Sequence, residues 1–494
     1  MTRGTSLLRI YAALAALVAG IWLAESVPQA VAVGAGCCAV VAAGWRRRAV
    51  VSLIGLMATA ASCGVLVTAP RASPSPLESL ADRVPHCELT GRLIEHAGGL
   101  GSLVSADLVN CDGFAPGRDA GVVVVEPSEI DAGAIVSATG WLIALRTDDT
   151  FDEARRRLGA HTAMHVEEIE QREAPRGLFG LAAGVRAGLD RATAGMDLER
   201  AGLLSGLTTG DTTGMGPATE EQLRRAGLSH LVAVSGSNVA MVVGATALMV
   251  SGLALWARLV ACGLALGLFV LVVGPEPSVL RAAVMGAVGL LALALGRRTE
   301  PLHALGLALV VLLALRPGLV HSVGLHLSAA ATAGIVLFSG HLTRAMAGLP
   351  RLVSLPLAVT LAAQFAVAPV LVGTFGELSL VAPLANPLAV PAVAPATVLG
   401  LAAAVAGALV PPLGWLCARI AEPFVTWVLA VGRATGSWSW ASIDVSEAWA
   451  WPLGALVIAA ALVSLRAGRA EPQSLTDKLV HGDRGPSGGL PRAK

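Results

Sequence analysis

The sequence predicts a polytopic α-helical membrane protein of about 12 transmembrane helices with a small extracytoplasmic β-barrel inserted among them. Three observations predict it. Hydrophobic residues make up 55% of the 494 and charged residues only 14%, with a mean hydropathy of +0.70, which exceeds what a soluble domain can bury. Apolar runs of about 20 residues, the length that crosses a bilayer, recur along the chain. One long polar stretch interrupts them and reads as short alternating strands.

Taken in order, the expected spans lie near 7–23, 31–44, 50–67, 228–255, 259–273, 279–295, 302–315, 320–338, 352–372, 381–410, 413–431 and 448–463. Arg3 and Arg9 lie at the start of the first span, but two further spans follow closely and no small-residue cleavage site is present. The first helix is therefore expected to stay uncleaved. Arg46, Arg47, Arg48, Arg258, Arg297, Arg298, Arg344, Arg351, Arg466 and Arg469 all follow even-numbered spans or open the next one. By the positive-inside rule that side is the cytoplasm, so both termini are expected there and 70–219 outside. Net charge is +1, and the only two lysines, Lys478 and Lys494, lie in the polar tail, so charge balance points to neither a nucleic-acid coat nor a membrane-surface patch.

The division that follows is a three-helix region at 1–69, a β-domain at 70–175, a helix and Gly/Thr-rich loop at 176–227, a helical channel domain at 228–466 and a disordered cytoplasmic tail at 467–494. Cys87 and Cys111 are the two of seven cysteines in the polar domain, and an oxidising outside location makes them a disulfide candidate. After the Pro/Ser linker "PRASPSPLESLADRVP" come "CELTGRLIE", "SLVSADLVNC", "GVVVVEP", "AIVSATGWLIAL" and "AMHVEEIEQ". Five strands with Gly, Asp, Asn and Pro turns suggest a small barrel, of which the oligonucleotide-binding (OB) fold is the commonest example. A nucleic-acid grip needs positive charge and stacking aromatics. Between Arg71 and Arg200 there are 13 Arg against 21 Asp plus Glu, and the aromatics are Phe114, Trp141, Phe151 and Phe179. A structural or gating module fits that charge better.

"GLFGLAAGVRAGLDRATAG" sets Leu178, Leu181, Val185 and Leu189 at helical spacing, which suits an amphipathic helix on the outer membrane face or one packed on the barrel. "SGLTTGDTTGMGPATEEQLRRAG", with Gly210 and Asp211, offers backbone donors to an anionic chain, or is an ordinary Gly-rich turn. Next comes "AGLSHLVAVSGSNVAMVVG", where His230, Ser235, Gly236 and Asn238 interrupt an apolar span. On a continuous helix Ser235 and Asn238 share a face and His230 lies well round the cylinder; a break at Ser235–Gly236 would change that. Glu276 and Arg281, either side of Pro277, then His326, Gln364 and Asn386, add polar groups at membrane depth or its edge. Each alone could be interhelical glue, but together they suggest a lined path. Pro383, Pro387, Pro391 and Pro395 are expected to break the tenth span. "HTAMH" reads as strand, not as a metal pair on a helix, so no metal or cofactor is expected, and there is no Walker or nuclease motif.

These blocks resemble the ComEC competence family, the inner-membrane channel for transforming DNA. The resemblance rests on "GLTTGDTTGMGPATEEQLRRAGLSHLVAVSGSNVAMV", "PSVLRAAVMGAVGLLALALGRR", "VGLHLSAAATAGIVLF" and "LAAQFAVAPVLVGTFGELSLVAPLANPLAVP". It implies an OB-like external domain and a channel passing one DNA strand, not an enzyme. Gly210, Asp211, His230, Ser235, Gly236, Pro277, Arg281, Gln364 and Asn386 fall on the family's blocks. The chain reads Ser-Gly-Ser-Asn at Ser235 to Asn238 where relatives read Ser-Gly-Leu-His, and has His326 where they have Gln. It is expected to be a short form without the metallo-β-lactamase-like domain that degrades the other strand. Implied partners are DNA, membrane lipid, a DNA receptor, a separate cytoplasmic ATP-driven translocase and a second copy of the chain. Voltage opposes anion movement into a negative cytoplasm, which is why a puller is needed. Two other readings are a transporter or flippase for another anionic solute, and an intramembrane hydrolase pairing Ser235 with His230.

Overall fold

The computed structural model describes residues 76–470 apart from 97–100, 112–113, 126–129, 147–151, 153–154, 157–159, 233 and 298. The three spans expected before residue 70, with Cys37, Cys38 and Cys63, lie outside the described residues, as does the tail from 471.

A short helix α1 (Pro76–Ala81) precedes five strands: β1 (His86–His96), β2 (Ser102–Cys111), β3 (Phe114–Val125), β4 (Ile135–Ala144) and β5 (Thr162–Glu173). All five sequence-predicted strands are present. They form a closed barrel in the order β1-β2-β3-β5-β4, antiparallel except for the short β3–β5 pairing at Val123↔Thr162 and Val124↔Ala163. Alternation sends Leu89 and Leu93, Val104 and Val109, Val136 and Ala138 inward, a period-2 pattern that gives the barrel its own core. Cys87 and Cys111 are register partners on β1 and β2 and are joined as a disulfide.

Among the described residues thirteen α-helices, α2 to α14, follow the barrel. The first four are α2 (Gly177–Thr193), α3 (Leu198–Thr209), α4 (Pro217–Arg225) and the single turn α5 (Ser229–Val232). The apolar series is α6 (Gly236–Met249), α7 (Leu255–Val273), α8 (Pro277–Ala294), α9 (Pro301–Leu315), α10 (Val323–Ala345), α11 (Arg351–Phe375), α12 (Ala382–Leu409), α13 (Pro411–Gly436) and α14 (Ala450–Ala470). Eight of the nine spans expected from residue 228 onward each fall on one of these helices, and the first is divided between α5 and α6. Among the described residues seven helices are long and apolar enough to cross a membrane, and α6 and α9 are shorter apolar helices. The protein is a membrane protein. A two-stranded sheet of β6 (Glu377–Ser379) and β7 (Ser442–Asp444) ties the end of α11 to the segment after α13.

Three expectations change. First, the span expected at 228–255 is not one helix; it is the turn α5, a break and the helix α6. Second, the prolines do not break α12, which runs unbroken for 28 residues through Pro387, Pro391 and Pro395, while Pro383 sits in its first turn. Their spacing of four residues places every missing N–H on one stripe, so the helix loses donors along one side only. The opposite stripe, with Ala385, Ala389, Val393 and Ala396, stays buried and bonded. Third, the four large apolar residues of α2 do not share one buried face: Val185 and Leu189 are buried, but Leu178 and Leu181 are not. Those two are exposed, and the inward face is Ala182, Val185, Gly188, Leu189 and Ala192, packed on α12 and α13.

Glycines decide that packing. A Cβ at Gly188 would strike the Ala404 carbonyl, one at Gly407 would strike the Gly188 carbonyl, and one at Gly414 would come within 2.5 Å of the Gly407 Cα. Three helices therefore cross with backbones nearly touching, the geometry small residues allow in membranes. Ion pairs hold the polar edge of the same assembly: Arg200 to Glu422 at 2.7 Å, Arg419 to Glu422 at 2.8 Å, and Arg433 to Glu199. Toward the barrel, Arg186 on α2 pairs with Asp131 before β4 at 2.6 Å and donates to the Val272 carbonyl at the end of α7 at 2.8 Å.

Two outcomes are expected. In SDS-denatured protein, maleimide should label two more thiols per chain after reduction than before; equal labelling would remove the Cys87–Cys111 bond. Gly407→Val should destabilise the helical assembly by about 1–3 kcal/mol through overpacking, read as a lower unfolding temperature in detergent, whereas Gly263→Val, whose Cβ meets nothing within 4 Å, should not.

Candidate functional site

The site begins where α4 ends. Gly227 adopts a left-handed φ of +70°, and a Cβ there would sit 2.5 Å from the Ala382 Cβ, so only glycine turns the chain this tightly against α12. After α5 the chain is extended at Ser235 (φ −110°, ψ 165°), and α6 starts at Gly236. Ser235 and Gly236 are weak helix formers, and a break among apolar helices survives only if its polar groups find partners.

They find them in two groups. In the first, Ser235 Oγ lies 2.6 Å from Ser237 Oγ and donates to Asn238 Oδ1 at 3.3 Å. Asn238, only 1% exposed, donates through Nδ2 to the Leu207 carbonyl of α3 at 3.1 Å. Ser278, directly after the helix-opening Pro277, donates to the Val234 carbonyl at 2.9 Å. One turn further on, Arg281 is 4% exposed, with Nε donating to Ser328 Oγ at 2.9 Å and Nη1 to the thioether sulfur of Met285 at 3.0 Å. Its Nη2 lies over Gly236, where a Cβ would approach to 2.5 Å. No carboxylate pairs with Arg281 among the described residues. Gly210, the left-handed cap of α3, packs beside Val234.

The second group surrounds the Gly227 turn. Asn386 Nδ2 donates to the Gly227 and Ala382 carbonyls at 3.4 and 3.0 Å, and His230 bonds the Gly227 backbone. Ser379 Oγ donates to the Arg225 carbonyl at 2.8 Å, and Gln364 Nε2 donates to the Ser379 carbonyl at 2.5 Å. Gln364 Oε1 and Asn386 Oδ1 are buried without a hydrogen-bond partner. Arg224 pairs with Glu377 at the same junction.

The twelve candidate channel residues thus divide. Ser235, Gly236, Asn238 and Arg281 meet at the break, with Gly210 and Pro277 beside it; His230, Gln364 and Asn386 meet at the turn. Glu276 is the exposed residue preceding α8. Asp211 accepts from the N–H and Oγ1 of Thr213 at 2.9 and 2.7 Å, closing its own loop. It also faces Asp190 of α2, whose carboxyl is held above the usual range by burial and then by Asp211 and Asp131. His326 joins neither group: its ring contacts the Val320 carbonyl at 2.7 Å. His230 and Ser235 have separate partners, and no hydrogen bond joins them. A surface hollow of about 460 Å³ beside Arg419 and Trp427 contains none of the candidate residues.

Sequence reading missed Ser278, Ser328 and Ser379 as partners. Ser278 was readable as the hydroxyl beside Pro277 and Ser328 as a polar residue two places after His326, but only folding reveals which carbonyl or guanidinium each one meets.

At the break a cation, hydroxyls and a helix start converge within an apolar bundle. The competence protein family matches residues 207–469, more than half of the chain, and that interval holds both polar groups. No curated protein and no solved structure matches the chain. The chain belongs to the competence protein family, and its role is in DNA uptake.

Proposed function

We propose that the protein is an inner-membrane channel that passes a single strand of DNA into the cytoplasm during natural transformation, with the Ser235–Gly236 break in its path. The family match over 207–469, enclosing that break and Arg281, carries this reading. A conduit for a polyanion needs donors and a cation that hold phosphates weakly enough to let them go. Ser235, Ser237 and Arg281 supply those groups, and Gly210, Asp211, His230, Asn238, Glu276, Pro277, His326, Gln364 and Asn386 shape or gate the route. The closed five-stranded barrel, read as OB-like, serves as a structural or gating module on the outer side, since its acidic balance makes a poor DNA grip.

The division into 1–69, 70–175, 176–227, 228–466 and 467–494 belongs to this reading, as do cytoplasmic termini. A DNA receptor outside, an ATP-driven translocase inside and self-association complete it, because the membrane voltage opposes inward movement of an anion. A carrier for another anionic solute would favour matched broken helices in two halves. The break before α6 is one such feature, but α12, the proline-rich counterpart, is continuous.

The test is arrival of end-labelled DNA in the cytoplasm of cells lacking this gene, then restored with wild type or variants. Deletion should abolish arrival and wild type restore it. Ser235→Leu and Gly236→Val, expressed at wild-type levels, should lower it at least tenfold, while Gly244→Val, with open space at its Cβ, should not. Undiminished arrival on deletion would overturn the channel reading.

A further inference from the structure

The deepest electrostatic anomaly in the described chain is Arg281. A guanidinium cannot give up its proton easily and is costly to bury alone, so buried arginines ordinarily face a carboxylate. Arg281 faces a hydroxyl at Nε and a thioether at Nη1, both uncharged, and its Nη2 has no hydrogen-bond partner among the described residues. That Nη2 is directed at the start of α6, which has an independent deficit of its own. The Ser235 side chain makes no capping bond, and the N–H groups of Gly236 and Ser237, the first of the helix, have no acceptor among the described residues. A positive helix start and an uncompensated guanidinium thus converge on Gly236, with the Ser235 and Ser237 hydroxyls at the rim. Two positive features packed this closely favour a negative group beside them.

We infer that Arg281 Nη2, the first amides of α6 and the Ser235 and Ser237 hydroxyls form a binding site for one tetrahedral oxyanion, a phosphate group. A planar fork opposite a row of amides matches the separate oxygens of phosphate, whereas a spherical halide would use only part of it. Gly236 is the residue that makes room, because any side chain would occupy the space of Nη2. The site rests on the DNA-uptake reading only for the owner of the phosphate: a phosphodiester of the strand, engaged one unit at a time. Asn238 and Ser278 position the break by bonding the Leu207 and Val234 carbonyls and do not touch the anion.

The experiment measures binding of radiolabelled inorganic phosphate to the full-length protein in nanodiscs of zwitterionic lipid, with chloride as competitor. Wild type should bind one phosphate per chain, saturably, and chloride at equal concentration should not displace it. R281Q should weaken binding at least tenfold, with R281K intermediate; helical circular dichroism and a single size-exclusion peak show that each variant is folded. Gly236→Val, which fills the cradle and leaves the guanidinium in the chain, gives a second arm should R281Q fail to fold, and it should weaken binding equally. Unchanged phosphate affinity in either folded variant, or displacement by equimolar chloride, overturns the site. A dT20 oligonucleotide should compete with phosphate, and its uncharged methylphosphonate analogue should not. Phosphate binding that depends on Arg281, combined with undiminished DNA arrival in cells carrying R281Q, would keep the oxyanion site and remove it from the DNA path. Loss of DNA arrival on gene deletion with R281Q-independent phosphate binding would do the reverse.

Discussion

Within a bundle of apolar helices, a backbone that leaves helical geometry loses its hydrogen bonds and finds no water to replace them. Everything notable in the second half of this protein answers that constraint at one place, the interruption between α5 and α6. The Val234 carbonyl is met by Ser278 of α8, and the Asn238 amide, reaching the other way, meets the Leu207 carbonyl of α3. Ser328 of α10 holds the arginine that leans over Gly236. Four helices are thereby fixed around a polar spot that none of them could stabilise alone.

The sequence was most legible where a single period decides the outcome. Strands β1 to β5 follow from alternation bounded by turn residues, and the apolar runs after residue 228 follow from their length. It misled where two local rules competed with packing. Four prolines in α12 argue for a break when taken singly, but at spacing four they spare the face that packs, and the helix persists. In α2 the pattern of large apolar residues was right for Val185 and Leu189 but not for Leu178 and Leu181, and the buried side is completed by small residues, because Gly188 permits a backbone crossing that no leucine could. Hydrophobic periodicity weighs size, and membrane helix crossings reward its absence.

The site was half legible for a similar reason. Ser235, Asn238 and Arg281 stand out because polar groups in apolar runs are costly and rarely idle. Pairing them needs three dimensions: Leu207 offers a carbonyl 31 residues from Asn238, and Ser328 lies 47 residues from Arg281. His326 stood out for the same compositional reason as Arg281 and satisfies itself on its own helix-leading turn. Rarity of a residue type flags both cases equally, and only the partner separates a strained group from a contented one.

Arg186 joins the barrel's Asp131 to the last carbonyls of α7, two residues before the glycine turn that leads into α8 and Arg281. One side chain thus ties the barrel to the end of α7. The barrel and the corner that leads into α8 are therefore joined through a single side chain, and losing that guanidinium would cut both contacts at once.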